Sequence, residues 1–192
     1  MSLRAELGSG RDTLVCLYLG RLNRDKGVLD LASAFGVVSK IYPQAELWVV
    51  GPDEADWFSQ MQIRLGEAIH KVKRVGFTLE PERFMQAADL FCLPSYREGF
   101  GSSVIEAASC GVPALVSRIY GLTDAVVENR TGWMHEAGNV QDLALKLGYV
   151  LSLSNNEIKR MGDDARLHAQ QVFAQEYVTG AMLGFYEKRM AV

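Results

Sequence analysis

The sequence predicts an α/β domain, a Rossmann-like doubly wound parallel sheet of about six strands. Three observations carry that expectation. Short continuous apolar runs, the mark of strands buried on both faces, alternate with segments of helical spacing. Three of the runs stop at Gly20, at Gly51-Pro52 and at Pro94. No internal repeat, low-complexity tract or linker breaks the alternation.

In chain order, Thr13–Leu19 is the first strand, a continuous apolar run ending at Gly20. Val28–Ile41 is a helix, because Val28, Leu31, Ala32, Phe35 and Val38 fall on one face. Glu46–Val50 is the second strand, Trp57–Ile69 a helix and Val72–Phe77 the third strand. Pro81 opens a short helix through Ala88, since a proline is tolerated in the first turn. Asp89–Leu93 is the fourth strand, Ser102–Cys110 a helix, Pro113–Ser117 the fifth strand and Thr131–His135 a brief sixth. Three helices close the chain, over Val140–Leu151, Asn155–Val172 and Gln175–Arg189. Residues 1–12 read as a leader or linker, and 13–192 as the domain.

The 192 residues suit one domain that needs neither disulfides nor metal to fold. A net charge of −3 argues against a nucleic-acid protein. Cys16, Cys92 and Cys110 sit in apolar surroundings without a C-x-x-C pair, and read as buried free thiols of a reducing compartment. There is no membrane-spanning run and no signal-peptide pattern, which points to the cytoplasm. His70, His135 and His168 lack metal-ligand spacing and are expected at surface or helix-face positions. Trp48, Trp57 and Trp133 read as core or edge packing.

Ligands of such sheets sit beyond the carboxyl ends of the strands. That makes the loops after Leu19, Val50, Phe77, Leu93 and Val116 the candidate walls. The first carries Gly20-Arg21-Leu22-Asn23-Arg24-Asp25-Lys26-Gly27, in which Arg21 and Lys26 are placed to meet a diphosphate. A solvated charged turn is the plain alternative. The loop after Leu93 carries Glu98 and Glu106 around Gly99-Phe100-Gly101-Ser102-Ser103 and opens a helix. Its amides suit a phosphate and its carboxylates suit sugar hydroxyls, so the loop reads as a site for a phosphorylated sugar. Ser103 with Glu106 also fits a Ser-x-x-Glu capping box, and Glu98 also fits a plain surface carboxylate. Phe77-Thr78 is a candidate wall for a base.

Gly20-Arg21…Lys26-Gly27, Leu93-Pro94-Ser95, Glu98-Gly99-Phe100-Gly101, Glu106-Ala107 and Gly111-Val112-Pro113 together resemble the retaining family 4 glycosyltransferases, the large "group 1" set with the two-domain GT-B fold. The resemblance runs from Leu14 to about Met190 and implies the C-terminal half of that fold. It implies a nucleoside-diphosphate sugar as donor, with UDP-hexose or UDP-N-acetylhexosamine expected. The acceptor is a saccharide or a lipid-linked one in polysaccharide, capsule or O-antigen synthesis. By the family pattern Arg21, Lys26 and Glu98 are catalytic: the cations hold the departing diphosphate and Glu98 contacts the sugar. Gly20, Ser95, Gly99, Phe100, Gly101, Ser102 and Ser103 line the donor, and Glu106 binds the ribose. No metal or cofactor is expected. Tyr120-Gly121-Leu122-Thr123-Asp124 is similar to a turn of enzymes using N-acetylated hexosamines, and equally fits a helix-capping turn.

Nothing in the chain resembles the family's N-terminal acceptor domain, so a donor half of a longer enzyme is expected, transferring sugar poorly alone. The full-length enzyme is expected in the cytoplasm, with peripheral association at the inner face of the membrane. The last helix would leave Val178, Met182 and Phe185 uncovered, inviting self-association. On these roles, removing Glu98 leaves the affinity for a bare nucleotide nearly unchanged. A non-catalytic nucleotide-sugar module, a 2-epimerase and a phosphorylase of the same fold are the alternatives. A dinucleotide oxidoreductase is disfavoured, because Gly20-Arg21-Leu22-Asn23 is not G-x-G-x-x-G.

Overall fold

The computed structural model describes residues 2–190. Its elements are α1 (Leu3–Glu6), β1 (Leu14–Leu19), a 3-10 turn (Arg24–Lys26), α2 (Val28–Val38), β2 (Ala45–Val50) and α3 (Trp57–Leu65). A second 3-10 stretch (Gly66–Lys71), β3 (Val72–Val75), α4 (Pro81–Ala87), β4 (Leu90–Leu93), α5 (Ser102–Ser109) and β5 (Ala114–Ser117) follow. The chain continues through β6 (Gly132–His135), α6 (Val140–Ser152), α7 (Asn155–Val172) and α8 (Gln175–Met190).

The strands form one sheet in the order β3-β2-β1-β4-β5-β6, every neighbouring pair parallel. The six-strand α/β expectation holds. Parallel strands need crossovers, and right-handed crossovers that lead in opposite directions from β1 and β4 put their helices on opposite faces. Accordingly α2 packs with α3 and α6, and α5 packs with α4 and α7. The central strand β1 is buried from Leu14 to Tyr18, and Trp48, Trp133, Tyr18, Phe35 and Phe91 are the largest side chains buried with it. Covering both faces explains why these strands read as unbroken apolar runs.

Several ends differ from the sequence reading. The helix opening at Trp57 stops at Leu65, where Gly66 leaves helical geometry, and the remainder to Lys71 is 3-10. The helix from Val28 stops at Val38, four residues short of the Tyr42-Pro43 step that disfavours helix. Strand β3 ends at Val75, which places Phe77 in an exposed loop. The segment 1–12, set aside above as leader or linker, is docked where described. Arg4 donates to the carbonyls of Ala87 and Thr13 and pairs with Asp89 at 2.6 Å, while Leu3 and Leu7 pack on the core.

Cys16 and Cys92 are buried, but Cys110 is only half-buried at the end of α5. His135 corrects the expectation of a surface histidine: it is 1% exposed, at the end of β6. Its Nδ1–H donates to the Glu136 carbonyl at 2.9 Å, so Nε2 accepts from the Ser117 hydroxyl at 3.2 Å. Its position at the end of a short strand at the edge of the sheet hid its burial from the sequence. Helix α8 buries no residue, and Val178, Met182 and Phe185 stand uncovered as expected. Among the described residues no helix is long and apolar enough to cross a membrane, and no group of three or more His, Cys, Asp or Glu side chains is arranged to hold a metal ion.

Burial lowers the His135 pKa below its ordinary 6.5, against the pull of the Glu136 carbonyl and nearby acids. The folded state therefore binds fewer protons than the unfolded chain, and stability falls as pH drops below about 6.5. Thermal unfolding between pH 7 and 5 should show that slope, and the slope should shrink in His135→Asn.

Candidate functional site

The sheet order fixes the place. From β1 the chain winds outward through β2 to β3, whereas β4 lies on the other side of β1 and starts the winding toward β6. Loops leaving β1 and β4 therefore part to opposite faces and leave a crevice between them, the position where ligands of such sheets bind. The β1 loop carries Arg21 and Lys26; the β4 loop carries Ser95, Glu98 and the glycines.

The two loops are joined by direct contacts. Lys26 Nζ stands 2.5 Å from Glu98 Oε1, and the Ser95 hydroxyl donates to the same oxygen at 2.8 Å. Both ionic side chains are partly withdrawn from water, with 25% exposure at Lys26 and 12% at Glu98. The Tyr96 amide donates to the Asp25 carbonyl at 2.7 Å, and the Tyr96 hydroxyl to Asp30 at 2.6 Å. Arg97 pairs with Asp25 at 2.9 Å, an exposed contact of little energetic weight. Gly27 makes the approach possible: at φ 65°, a Cβ there would stand 1.9 Å from the Pro94 carbonyl oxygen.

Arg21 lies on the same rim. Its backbone carbonyl accepts the Tyr18 hydroxyl at 2.6 Å, and the next amide, of Leu22, donates to the Pro52 carbonyl at 2.9 Å. The Arg21 side chain is exposed and makes no ion pair among the described residues. Burial raises the Tyr18 phenol far above its usual range and the nearby Glu98 charge adds to that, so the phenol remains a proton donor to this loop.

Helix α5 starts on Gly101 in the left-handed region, without a side-chain cap. The amides of Gly99, Phe100, Gly101, Ser102 and Ser103 have no acceptor among the described residues. Five orphan donors and the positive end of a helix thus lie on the loop whose Glu98 meets Lys26. The capping-box alternative is corrected: Ser103 lies inside the helix, one residue past Ser102, so its hydroxyl is not in capping position. Glu106 is consequently uncommitted to a cap and exposed one turn along α5. The 120–124 turn closes the far side, with Gly121 so near that a Cβ would stand 2.6 Å from the Glu98 carbonyl oxygen.

The structure places Gly20, Arg21 and Lys26 on the loop leaving β1, Ser95, Glu98, Gly99, Phe100 and Gly101 on the loop leaving β4, and Ser102, Ser103 and Glu106 in the first turns of α5; of these side chains it joins Lys26, Glu98 and Ser95 directly. Ser95 is buried and engaged with Glu98, so it orders that carboxylate. The sequence reading missed Tyr18, which looks like one more core residue of an apolar strand, and the Asp25–Tyr96 tie, which is made by backbone. A cavity of about 710 Å³ between α2 and α6 is lined by Val37, Ile41, Leu145 and Tyr149 and holds none of this chemistry.

Comparison with known proteins shows the family and the fold. A model of the family described as "Glycosyl transferases group 1" matches residues 2–168. A capsular polysaccharide biosynthesis glycosyltransferase, CapM of Staphylococcus aureus, is 30% identical over 185 residues, covering 91% of this chain and 46% of the relative. A D-inositol 3-phosphate glycosyltransferase of Corynebacterium glutamicum is 31% identical, covering 87% of this chain and 42% of the relative. The crystal structure of Anabaena HepE in complex with UDP and glucose superposes with a TM-score of 0.80 at 26% identity, covering 99% of this chain and 51% of that one. The chain thus spans about half the length of the relatives it matches.

Two outcomes follow from the geometry. Gly27→Ala should lower stability by about 2 kcal/mol or more, from left-handed strain plus the clash with Pro94, measured by chemical denaturation. The Lys26–Glu98 pair alters the expected behaviour of Glu98: in the free protein it neutralises a cation that a diphosphate would use. Glu98→Gln should tighten UDP binding roughly three- to tenfold in calorimetry, the equivalent of about 1 kcal/mol.

Proposed function

The chain belongs to the group 1 glycosyl transferases, and on that premise we propose that it is the donor-binding half of a retaining enzyme. The donor is a nucleoside-diphosphate sugar, UDP-hexose or UDP-N-acetylhexosamine. The acceptor is a saccharide or a lipid-linked saccharide of polysaccharide, capsule or O-antigen synthesis, held by a partner domain across the crevice. The full-length enzyme works in the cytoplasm, associated peripherally with the inner face of the membrane. The names of CapM and of the UDP-bound HepE structure support this choice of donor and pathway class.

One observation carries the reading. A lysine is paired with a carboxylate across the two loops that part at the switch point of the sheet, and five unpaired amides follow that carboxylate in the chain. Breaking a glycosyl–phosphate bond builds negative charge on the diphosphate and positive character on the sugar. Donors fixed before the reaction stabilise such charge without reorganising. The Gly99–Ser103 amides and the α5 terminus would receive the diphosphate oxygens, with Arg21 and Lys26 adding charge from the β1 loop.

Arrival of the diphosphate gives Lys26 a second anion. Glu98, relieved of part of its ion pair and still held by Ser95, then turns its acceptor oxygens to the sugar. Glu106, one turn along α5, accepts from the ribose hydroxyls. These side chains position the donor, hold its charge and leave no base to be found for the departing group, because a diphosphate leaves without protonation at neutral pH. No step calls on a metal.

Titration calorimetry with UDP, GDP and ADP on this chain tests the roles. Arg21→Ala and Lys26→Ala should each weaken the preferred diphosphate about tenfold. Glu106→Ala should weaken the nucleotide while leaving inorganic diphosphate unaffected. No binding by any of the three nucleotides, or equal losses for all variants with bare diphosphate, would refute the assignment.

A further inference from the structure

We propose that Phe173, at the elbow between α7 and α8, is a positioning residue that holds the glycine loop in its binding shape. The 121–122 turn packs against Gly99 and Gly101, and Phe100 between them has a support of its own. Two glycines flank Phe100, and no backbone acceptor restrains the amides from Gly99 to Ser103 among the described residues. The Phe100 ring is the side-chain handle of this stretch, and it is 54% exposed, so it packs on one side only.

That side is Phe173. The two rings meet edge to face, centroids 5.9 Å apart at 78°. Phe173 in turn meets the ring of His168 edge to face at 5.6 Å and 86°. The His168 Nε2 is buried without a hydrogen-bond partner, so this ring is held by packing and not by a polar contact. Phe173 is also fixed along its backbone: it closes α7, its amide donating to the Ala169 carbonyl at 2.9 Å. Helix α7 lies on α5 through Ala108, Ala165 and Ala169, which gives the elbow a rigid seat on the helix that the loop opens.

The consequence is a path from α8 to the donor loop. Helix α8 begins at Gln175, two residues after Phe173, and buries none of its own residues. Whatever fixes the direction of α8 acts through Phe173 on Phe100, and so on the amides between Gly99 and Ser103. The effect on binding rests on the reading of that loop as the diphosphate cradle; the effect on loop order does not.

Hydrogen exchange by mass spectrometry on the purified chain separates the two. An edge-to-face pair biases a local equilibrium by about two- to tenfold. Phe173→Ala should speed exchange of peptides spanning residues 98–107, whose Val104 and Ile105 amides donate to the Gly101 carbonyl and so report on the loop, by that factor and leave those of β4 and β5 unchanged. Phe173→Tyr should restore the slow exchange, and Phe185→Ala, on α8 away from the loop, should have no effect there. Phe173→Leu, which keeps apolar bulk, replaces Phe173→Ala if the latter does not fold. Unchanged loop exchange, or acceleration spread evenly over the chain, would overturn the proposal. If the loop loosens as stated and UDP affinity falls with it, both readings stand. Should the loop loosen while UDP affinity stays the same, the brace stands and the cradle does not.

Discussion

The connectivity of the sheet places β1 beside β4 and sends the chain away from them in opposite directions. Everything functional here depends on that constraint. Two loops far apart in sequence are left with one crevice between them, and right-handed crossovers allow no other outcome. Lys26 and Glu98 are 72 residues apart, and the fold brings their charged atoms to 2.5 Å. The contact is possible because Gly27 lets the first loop lie against the Pro94 backbone. The site is therefore a property of topology first and of side chains second.

The free protein stores its charges against each other. An unpaired carboxylate or ammonium in a half-buried crevice would be costly, and the ion pair removes that cost without filling the amide cradle. On the proposed roles, an arriving diphosphate would draw Lys26, Arg21 and the α5 terminus and so loosen Glu98 as the sugar arrives, and the same lysine would serve both the empty and the loaded state. The aromatic contact of Phe100 with Phe173 adds a second tie to this loop, from helices rather than from charge.

Much of this was legible in the residues. All six strands and the principal helices follow from the alternation of apolar runs, because both faces of the sheet are covered. Element ends were harder to read where a glycine such as Gly66 overrides the apolar spacing that continues beyond it. The Ser-x-x-Glu pattern shows a limit of local reading. Ser154 with Glu157 forms a capping box, whereas Ser103 with Glu106, equally good on paper, does not. The difference lies in where each helix begins, and Gly101 sets that for α5. The partners of the site residues were not legible. The bond from Tyr18 to the Arg21 carbonyl, the backbone tie of Tyr96 to Asp25 and the burial of His135 depend on distances between chain segments, which spacing along one segment does not report.

The central claim is that the orphan amides of the α5 loop and the cations of the β1 loop bind one diphosphate together. An amide-resolved NMR titration of the isotope-labelled chain with UDP tests it most directly. The account predicts that the largest shifts fall on residues 99–103 and 20–27 and saturate along one binding curve. Shifts confined to other surfaces, such as the apolar groove between α2 and α6, or two groups of shifts that saturate at different UDP concentrations, would contradict it.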